Sequence, residues 1–256
     1  MSTNPSALTV GDYTIAYHHT PGTHPVGVMF LGGFMSDMNG GKATALEAHC
    51  IANSIPFTRF DYGGHGQSSG AFEEGTIGLW QSHAQAIFDH VASERMVLVG
   101  SSMGGWMMLL LAHARKEKVT GLVGIASAPD FTEKLIFEEF SQEQLRELNS
   151  TGRVMIKNCM PGEADYPITR ELIEEGRKHL MTEGKIPIDV PTHLLHGMQD
   201  PDVPYTLSLQ LADQLAREDV EVTLVKNGDH RMGRPENLAL LKSAVSAMLE
   251  RVGTLP

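Results

Sequence analysis

The run Val97-Leu98-Val99-Gly100-Ser101-Ser102-Met103-Gly104-Gly105, followed by Trp106-Met107-Met108-Leu109-Leu110-Leu111, leaves few ways to fold. A short apolar segment rich in valine passes through Gly-x-Ser-x-Gly straight into an apolar stretch of helix formers. That order reads as a strand, a sharp turn and a helix. Such a turn strains the backbone at its centre. A β-carbon two residues to either side would collide with neighbouring segments, which gives Gly100 and Gly104 a steric purpose. Ser102 then stands above the end of a sheet, and the first amides of the helix point at whatever its hydroxyl attacks.

The rest of the chain repeats the strand-then-helix rhythm. Val26–Leu31, Ile55–Phe60, Met96–Val99, Leu122–Ala126, His193–Leu195 and Val220–Val225 read as strands, several of them apolar throughout. Strands covered by helices on both faces have that pattern. Helices are expected near 40–53, 76–93, 103–117, 204–217 and 235–251. Thr9–Val10 and Thr14–His18 form an edge hairpin turning at Gly11–Asp12. The predicted fold is α/β: one mostly parallel twisted sheet with helices on both faces, in a single domain over 1–256. The rhythm breaks between Asp130 and Asp189, where two charged amphipathic stretches read as a small helical cap. Ligand sites in open α/β folds lie beyond the strand C-termini, so a cap there would cover one.

A serine hydroxyl needs a base. Of the 12 histidines, His230 lies in Lys226-Asn227-Gly228-Asp229-His230-Arg231, just past the last strand and at the sheet end that carries Ser102. His49, His83, His90, His113 and His179 fall within helices, and His193 and His196 within a strand. His18, His19 and His24 lack the further ligands of a zinc site, so no metal is expected. The base in turn needs a carboxylate to fix its tautomer and balance its charge. His196-Gly197-Met198-Gln199-Asp200-Pro201-Asp202 offers two. Asp200 is nearer the strand end and is the choice for the acid; Asp202 has the spacing to cap a helix that opens near Pro204 instead. An oxyanion formed at Ser102 needs amide donors worth roughly 3–4 kcal/mol each. Met103 supplies one and Phe34, in Gly32-Gly33-Phe34-Met35-Ser36-Asp37, the other. Asp61-Tyr62-Gly63-Gly64-His65-Gly66-Gln67-Ser68 has neither a phosphate-binding nor a dinucleotide signature and reads as a structural turn. Met35, Met38, Met103 and Met160 are candidates for a pocket wall, with core filling as the default for methionine.

The order Ser102, Asp200, His230, with LGGFMSDMNGGKA, RFDYGGHGQSSG, VGSSMGGWMMLL, LLHGMQDPDVP and DHRM, resembles the α/β-hydrolase superfamily. Within it the chain is similar to the branch of animal mitochondrial palmitoyl-protein thioesterases that also hydrolyse mycophenolic acid acyl-glucuronide. The resemblance spans about 26–250 and is weakest in the cap. It implies Ser102 as nucleophile, Asp200 as acid and His230 as base, and an acyl ester or thioester substrate, with no organic cofactor.

Composition excludes other classes. With 20 Lys+Arg against 31 Asp+Glu the formal charge is −11, a poor match for phosphate backbones or anionic lipid. The charge thus excludes nucleic acid, while the resemblance implies a small-molecule or lipid-acylated ester or thioester as partner; no segment is long and apolar enough to span a membrane. Cys50 and Cys159 read as reduced thiols. No Lys or Arg precedes Lys42, which argues against a leader peptide and gives a cytoplasmic expectation. Two rivals to a carboxylic ester or thioester hydrolase stay open. One is an aminopeptidase of the same fold reading a substrate amine with Glu138, Glu139, Glu174 and Glu175. The other is a catalytically silent binding protein on a hydrolase fold.

Overall fold

The computed structural model describes residues 4–157 and 165–253. In chain order the main elements are β1 (Ser6–Val10), β2 (Tyr13–Thr20), β3 (Val26–Leu31), α1 (Gly41–Ala52), β4 (Phe57–Phe60) and α2 (Ile77–Val91). Then come β5 (Arg95–Ser101), α3 (Met103–Ala114), β6 (Val119–Ile125), α4 (Gln142–Thr151), β7 (Arg153–Ile156), β8 (Tyr166–Thr169) and α5 (Arg170–Gly176). The chain closes with β9 (Thr192–Gly197), α6 (Thr206–Gln214), β10 (Val220–Val225) and α7 (Pro235–Gly253). Eight strands form one sheet in the order β1-β2-β4-β3-β5-β6-β9-β10. β1 and β2 pair antiparallel, as do β2 and β4; from β4 to β10 every pairing is parallel.

Helices on both faces account for the apolar strands. Every residue of β3 is buried, and so is every residue of β5 after Arg95. On one face Trp80 and Phe88 of α2 and Trp106 and Leu109 of α3 pack together; on the other, Leu46 of α1 meets Leu241, Val245 and Leu249 of α7. α3 is buried from Met103 to Ala112, so its apolar residues surround the helix instead of forming a stripe.

The edge hairpin turns at Gly11, whose φ of +58° suits glycine. β4 starts two residues later than its apolar run, because the Ile55 amide is taken by Cys50 O and Pro56 has no N–H to give a ladder. α3 stops before 117, where Arg115 leaves helical geometry and its carbonyl accepts the Lys118 and Val119 amides.

The insertion between Asp130 and Asp189 carries the expected helices, α4 and α5, and adds a short hairpin that the sequence pattern did not show. It opens with a π-helical turn at Thr132–Phe137, and β7 and β8 pair antiparallel between α4 and α5. Asp130, fully buried at φ +57°, ties its two ends together. Its carboxylate accepts from the Met181 amide at 2.9 Å and from the Thr182 amide at 2.8 Å. Cys159 and Met160 lie outside the described residues. Cys50 is a free, buried thiol, and burial pushes it up to about 12.

Candidate active site

Parallel strands deliver their following loops to one end of the sheet, and the site is assembled there. Ser102 follows β5 at φ +56° and ψ −121°, a left-handed conformation that an L residue adopts only under constraint. Its amide donates to Ile125 O at 2.9 Å, and its carbonyl accepts from Gly105 N at 2.8 Å and Ala128 N at 3.1 Å. The flanking glycines have the steric role expected of them. A β-carbon on Gly100 would sit 2.4 Å from Gly104 O, and one on Gly104 would sit 2.1 Å from Leu31 O. α3 can therefore run close against β3 and β5 only with hydrogen at these two positions.

β9 and β10 are neighbours, and the loops after them carry the other two side chains. They pack backbone to backbone: a β-carbon on Gly197 would lie 2.4 Å from Gly228 O, and Gln199 N donates to Gly228 O at 2.9 Å. This contact brings His230 Nδ1 to 2.7 Å from Asp200 Oδ2. On the other side of the ring His230 Nε2 lies 3.1 Å from Ser102 Oγ. Residues 102, 200 and 230 thus form one continuous hydrogen-bonded line.

The Asp200 side chain is wholly buried and fully bonded. Its Oδ1 accepts from the Asp202 and Val203 amides, both at 2.8 Å. Burial pulls its carboxyl upward. The hydrogen bonds from His196 and His230, the charge of His230 and the Val203 amide outweigh that pull and hold it well below the usual carboxylate range. His196 went unnoticed in the strand reading. Its Nε2 lies 3.2 Å from Asp200 Oδ2, and its Nδ1 takes the Ser208 hydroxyl at 2.7 Å, so Asp200 sits between two imidazoles. The available signal was the spacing of four between His196 and Asp200 across a strand end.

Asp202 does not cap a helix, contrary to expectation. α6 starts at Thr206 with Tyr205 as its cap residue and no side-chain cap bond. Asp202 lies on the pocket wall instead. Asp200, Asp202 and His230 could present three ligand atoms within 4.8 Å of one another. The Asp200 oxygens already serve two imidazoles and two amides, a donor set that suits support of a base better than a cation. His19 bonds Thr58 and His24 accepts from the Val26 amide, so those histidines are committed elsewhere.

Above Ser102 opens a pocket of ≈ 830 Å³ with both apolar and polar lining. Phe34 and, from the insertion, Phe131, Leu135, Phe140, Ile156 and Tyr166 supply much of its apolar lining, beside Glu139, Gln144 and Lys157. Phe34 meets Phe131 at 5.4 Å and Tyr166 at 5.7 Å between ring centroids, both edge-on. Asp37, Lys42, Asp202 and Arg231 add polar lining. Lys42 Nζ donates to Arg231 O at 2.5 Å; burial, with Arg231 adding, pushes its ammonium down to about 8. Met35 and Met103 reach the pocket, while Met38 is core. Of the four glutamates considered for amine recognition, Glu139 alone lines the pocket. Glu138 pairs with Lys134, and Glu175 with His179 and the Gly78 amide.

Comparisons with known proteins fit this construction. Residues 79–251 match the prolyl oligopeptidase family. The chain is 38% identical over 242 residues to the mitochondrial palmitoyl-protein thioesterase ABHD10 of Rattus norvegicus, covering 94% of this chain and 81% of that protein. The human protein of the same name is 37% identical over 241 residues, covering 94% and 78%. Among solved structures, a candidate hydrolase from Agrobacterium vitis superposes with a TM-score of 0.92 at 39% identity, covering 96% of this chain and 98% of that one. The α/β-hydrolase domain-containing protein 10 from mouse does so with a TM-score of 0.90 at 36% identity, covering 98% and 100%.

These relatives overturn the cytoplasmic expectation, since the proteins aligned along 94% of this chain are named as mitochondrial. The expectation rested on the absence of Lys and Arg before Lys42, and that stretch does not specify a compartment. No helix among the described residues is long and apolar enough to cross a membrane. By sequence and fold the chain belongs to the α/β-hydrolases, in the prolyl oligopeptidase family and on the branch of the ABHD10 thioesterases.

Proposed function

We propose that this protein cleaves acyl esters and thioesters through an acyl-enzyme on Ser102, with His230 as general base and Asp200 as its charge partner. Hydrolysis of an ester or thioester bond follows from the family; the serine route rests on the site. One observation carries it: a strained serine whose hydroxyl lies 3.1 Å from an imidazole that is itself 2.7 Å from a buried carboxylate.

The steps follow from that line of bonds. Ser102 Oγ attacks the acyl carbonyl while His230 Nε2 takes the hydroxyl proton, and Asp200 balances the imidazolium charge. The Phe34 and Met103 amides hold the oxyanion. As it collapses, His230 returns the proton to the departing alcohol or thiol. Water, deprotonated by the same imidazole, then releases the acid and frees Ser102. The acyl chain takes the apolar lining of the pocket, next to Phe131 and Tyr166, and the leaving group the polar lining, next to Lys42 and Arg231.

The family model's peptidase name is the observation favouring a second reading, an aminopeptidase. It is the weaker one, because two of its four proposed glutamates are engaged in ion pairs away from the pocket. Assay of p-nitrophenyl esters and acyl thioesters beside aminoacyl-p-nitroanilides separates the two. Ester and thioester turnover is expected, with Ser102→Ala lowering kcat by about 10⁵-fold or more. A Ser102→Ala enzyme keeping a tenth of the wild-type rate, or a preference for the anilides, refutes the proposal.

A further inference from the structure

The loop from Asp61 to Ser68, which reads as a plain turn, is bonded to the loop that carries Phe34. Asp61 Oδ1 accepts from Met38 N at 2.6 Å and its Oδ2 from Gln67 N at 2.8 Å. Gly66, at φ +47°, lets the loop close, since a β-carbon there would lie 2.1 Å from Asp61 Oδ2. His65, 4% exposed, is boxed by the rings of Phe72 and Trp80, each 5.2 Å away between centroids. Its Nε2 is 3.3 Å from the Met35 amide and its Nδ1 is 3.3 Å from Gly63 O. An amide can only donate and a carbonyl only accept, so the ring carries its proton on Nδ1 and accepts at Nε2.

Met35 sits at φ +56°, a conformation that needs outside support in an L residue. Two residues earlier, Gly33 O accepts from Ser36 N at 3.2 Å and Ser36 Oγ at 2.9 Å. In a trans peptide the carbonyl and the next N–H point opposite ways, so the Phe34 N–H is turned away from Ser36. Gly33 itself packs on the nucleophile, with room for a β-carbon only 3.4 Å from Ser102 Cβ.

We propose that His65 is a positioning residue for the reaction: by accepting the Met35 amide at Nε2, it holds the Gly33–Ser36 turn with the Phe34 N–H facing the Ser102 hydroxyl. The proposal rests on the oxyanion role given to Phe34 above. Burial, against a smaller upward pull from Gly63 O, moves the His65 imidazole down to about 4, which keeps Nε2 accepting through the neutral range. The titratable groups packed around it are Tyr62 and His83, the latter also pushed down to about 4 by burial and by His65, with Asp61 beyond Gly66 in the same loop.

The test compares His65→Gln, which offers an acceptor where Nε2 stood, with His65→Met, of similar length and without one. Rates are taken per active site titrated with a fluorophosphonate, so loss of folded protein does not enter. His65→Met is expected to lose 10- to 100-fold in kcat with KM within about threefold, and to bind a trifluoromethyl ketone more weakly by the same factor. His65→Gln should recover most of that loss. A His65→Met enzyme within twofold of wild type in kcat, or loss confined to KM, overturns the proposal. Should that variant not fold, the ring nitrogen shifts of the wild type decide: a proton on Nδ1 from pH 5.5 to 8 supports it, and one on Nε2 overturns it. Ser102→Ala inactive beside an unaffected His65→Met defeats this inference alone. Ser102→Ala still active defeats the reading beneath it.

Discussion

The two walls of the pocket are built by different means. Beneath it, Ser102, Asp200 and His230 hang from the ends of β5, β9 and β10, with buried backbone contacts fixing their loops. Above it, the 130–189 insertion is held by an apolar set, Leu148, Val154, Ile168, Leu172 and Ile173, by the buried Asp130 carboxylate and, at its surface, by exposed ion pairs. Arg153–Glu73 and Lys134–Glu138 are nearly half exposed on both sides. The proposed chemistry thus sits on the over-determined part, where an error of an ångström costs rate. On the same proposal, substrate choice falls to the insertion, whose exposed surface pairs can change with little penalty.

That contrast can be broken from the floor upward. Asp200→Asn should lower kcat by about 10⁴-fold with a small change in KM, because the imidazole loses its tautomer and charge partner. The same residue leaves a signature in stability. Its folded value lies below the unfolded value of about 3.9. The stabilisation is therefore complete above about pH 4 and is lost as pH falls through the folded value. The gap in melting temperature between wild type and Asp200→Asn should narrow from pH 5 toward pH 2, and a constant gap would contradict the assignment. Gly104→Ala comes next: with its β-carbon 2.1 Å from Leu31 O, urea unfolding should show a loss of about 3 kcal/mol or more.

Changes in the roof should read differently. Phe140→Ala is expected to cut the kcat/KM ratio of long-chain to acetyl p-nitrophenyl esters by about tenfold, leaving acetyl turnover within twofold. Equal losses on both esters would mean that the insertion contributes to chemistry. Arg153→Ala, which removes only the exposed pair with Glu73, should alter unfolding free energy by no more than about 0.5 kcal/mol.

The same division decides what the sequence made legible. Where strands are buried on both faces, as in β3 and β5, an uninterrupted apolar run announces them. The order of Ser102, Asp200 and His230 could be read because parallel topology sends every post-strand loop to one end. In the insertion the pattern misleads: Arg153–Ile156 and Tyr166–Thr169 are four-residue stretches beside amphipathic helices, and they become strands only by pairing with each other. His196 and His65 were passed over for another reason. Each forms a hydrogen bond to a group on a different element or loop, His196 to Asp200 and Ser208 and His65 to Met35, and of these only the four-residue step from His196 to Asp200 leaves a trace in the sequence. Asp202 carried a helix-capping spacing, yet α6 opens two residues beyond Pro204.

The central claim is that one activated hydroxyl, at residue 102, carries the acyl group. Treating the protein with a fluorophosphonate and mapping the adduct by mass spectrometry tests it directly. The account predicts one adduct per chain, on Ser102, and none in a His230→Ala variant. An adduct on another serine, or an enzyme that turns over esters while Ser102 stays unlabelled, would contradict it.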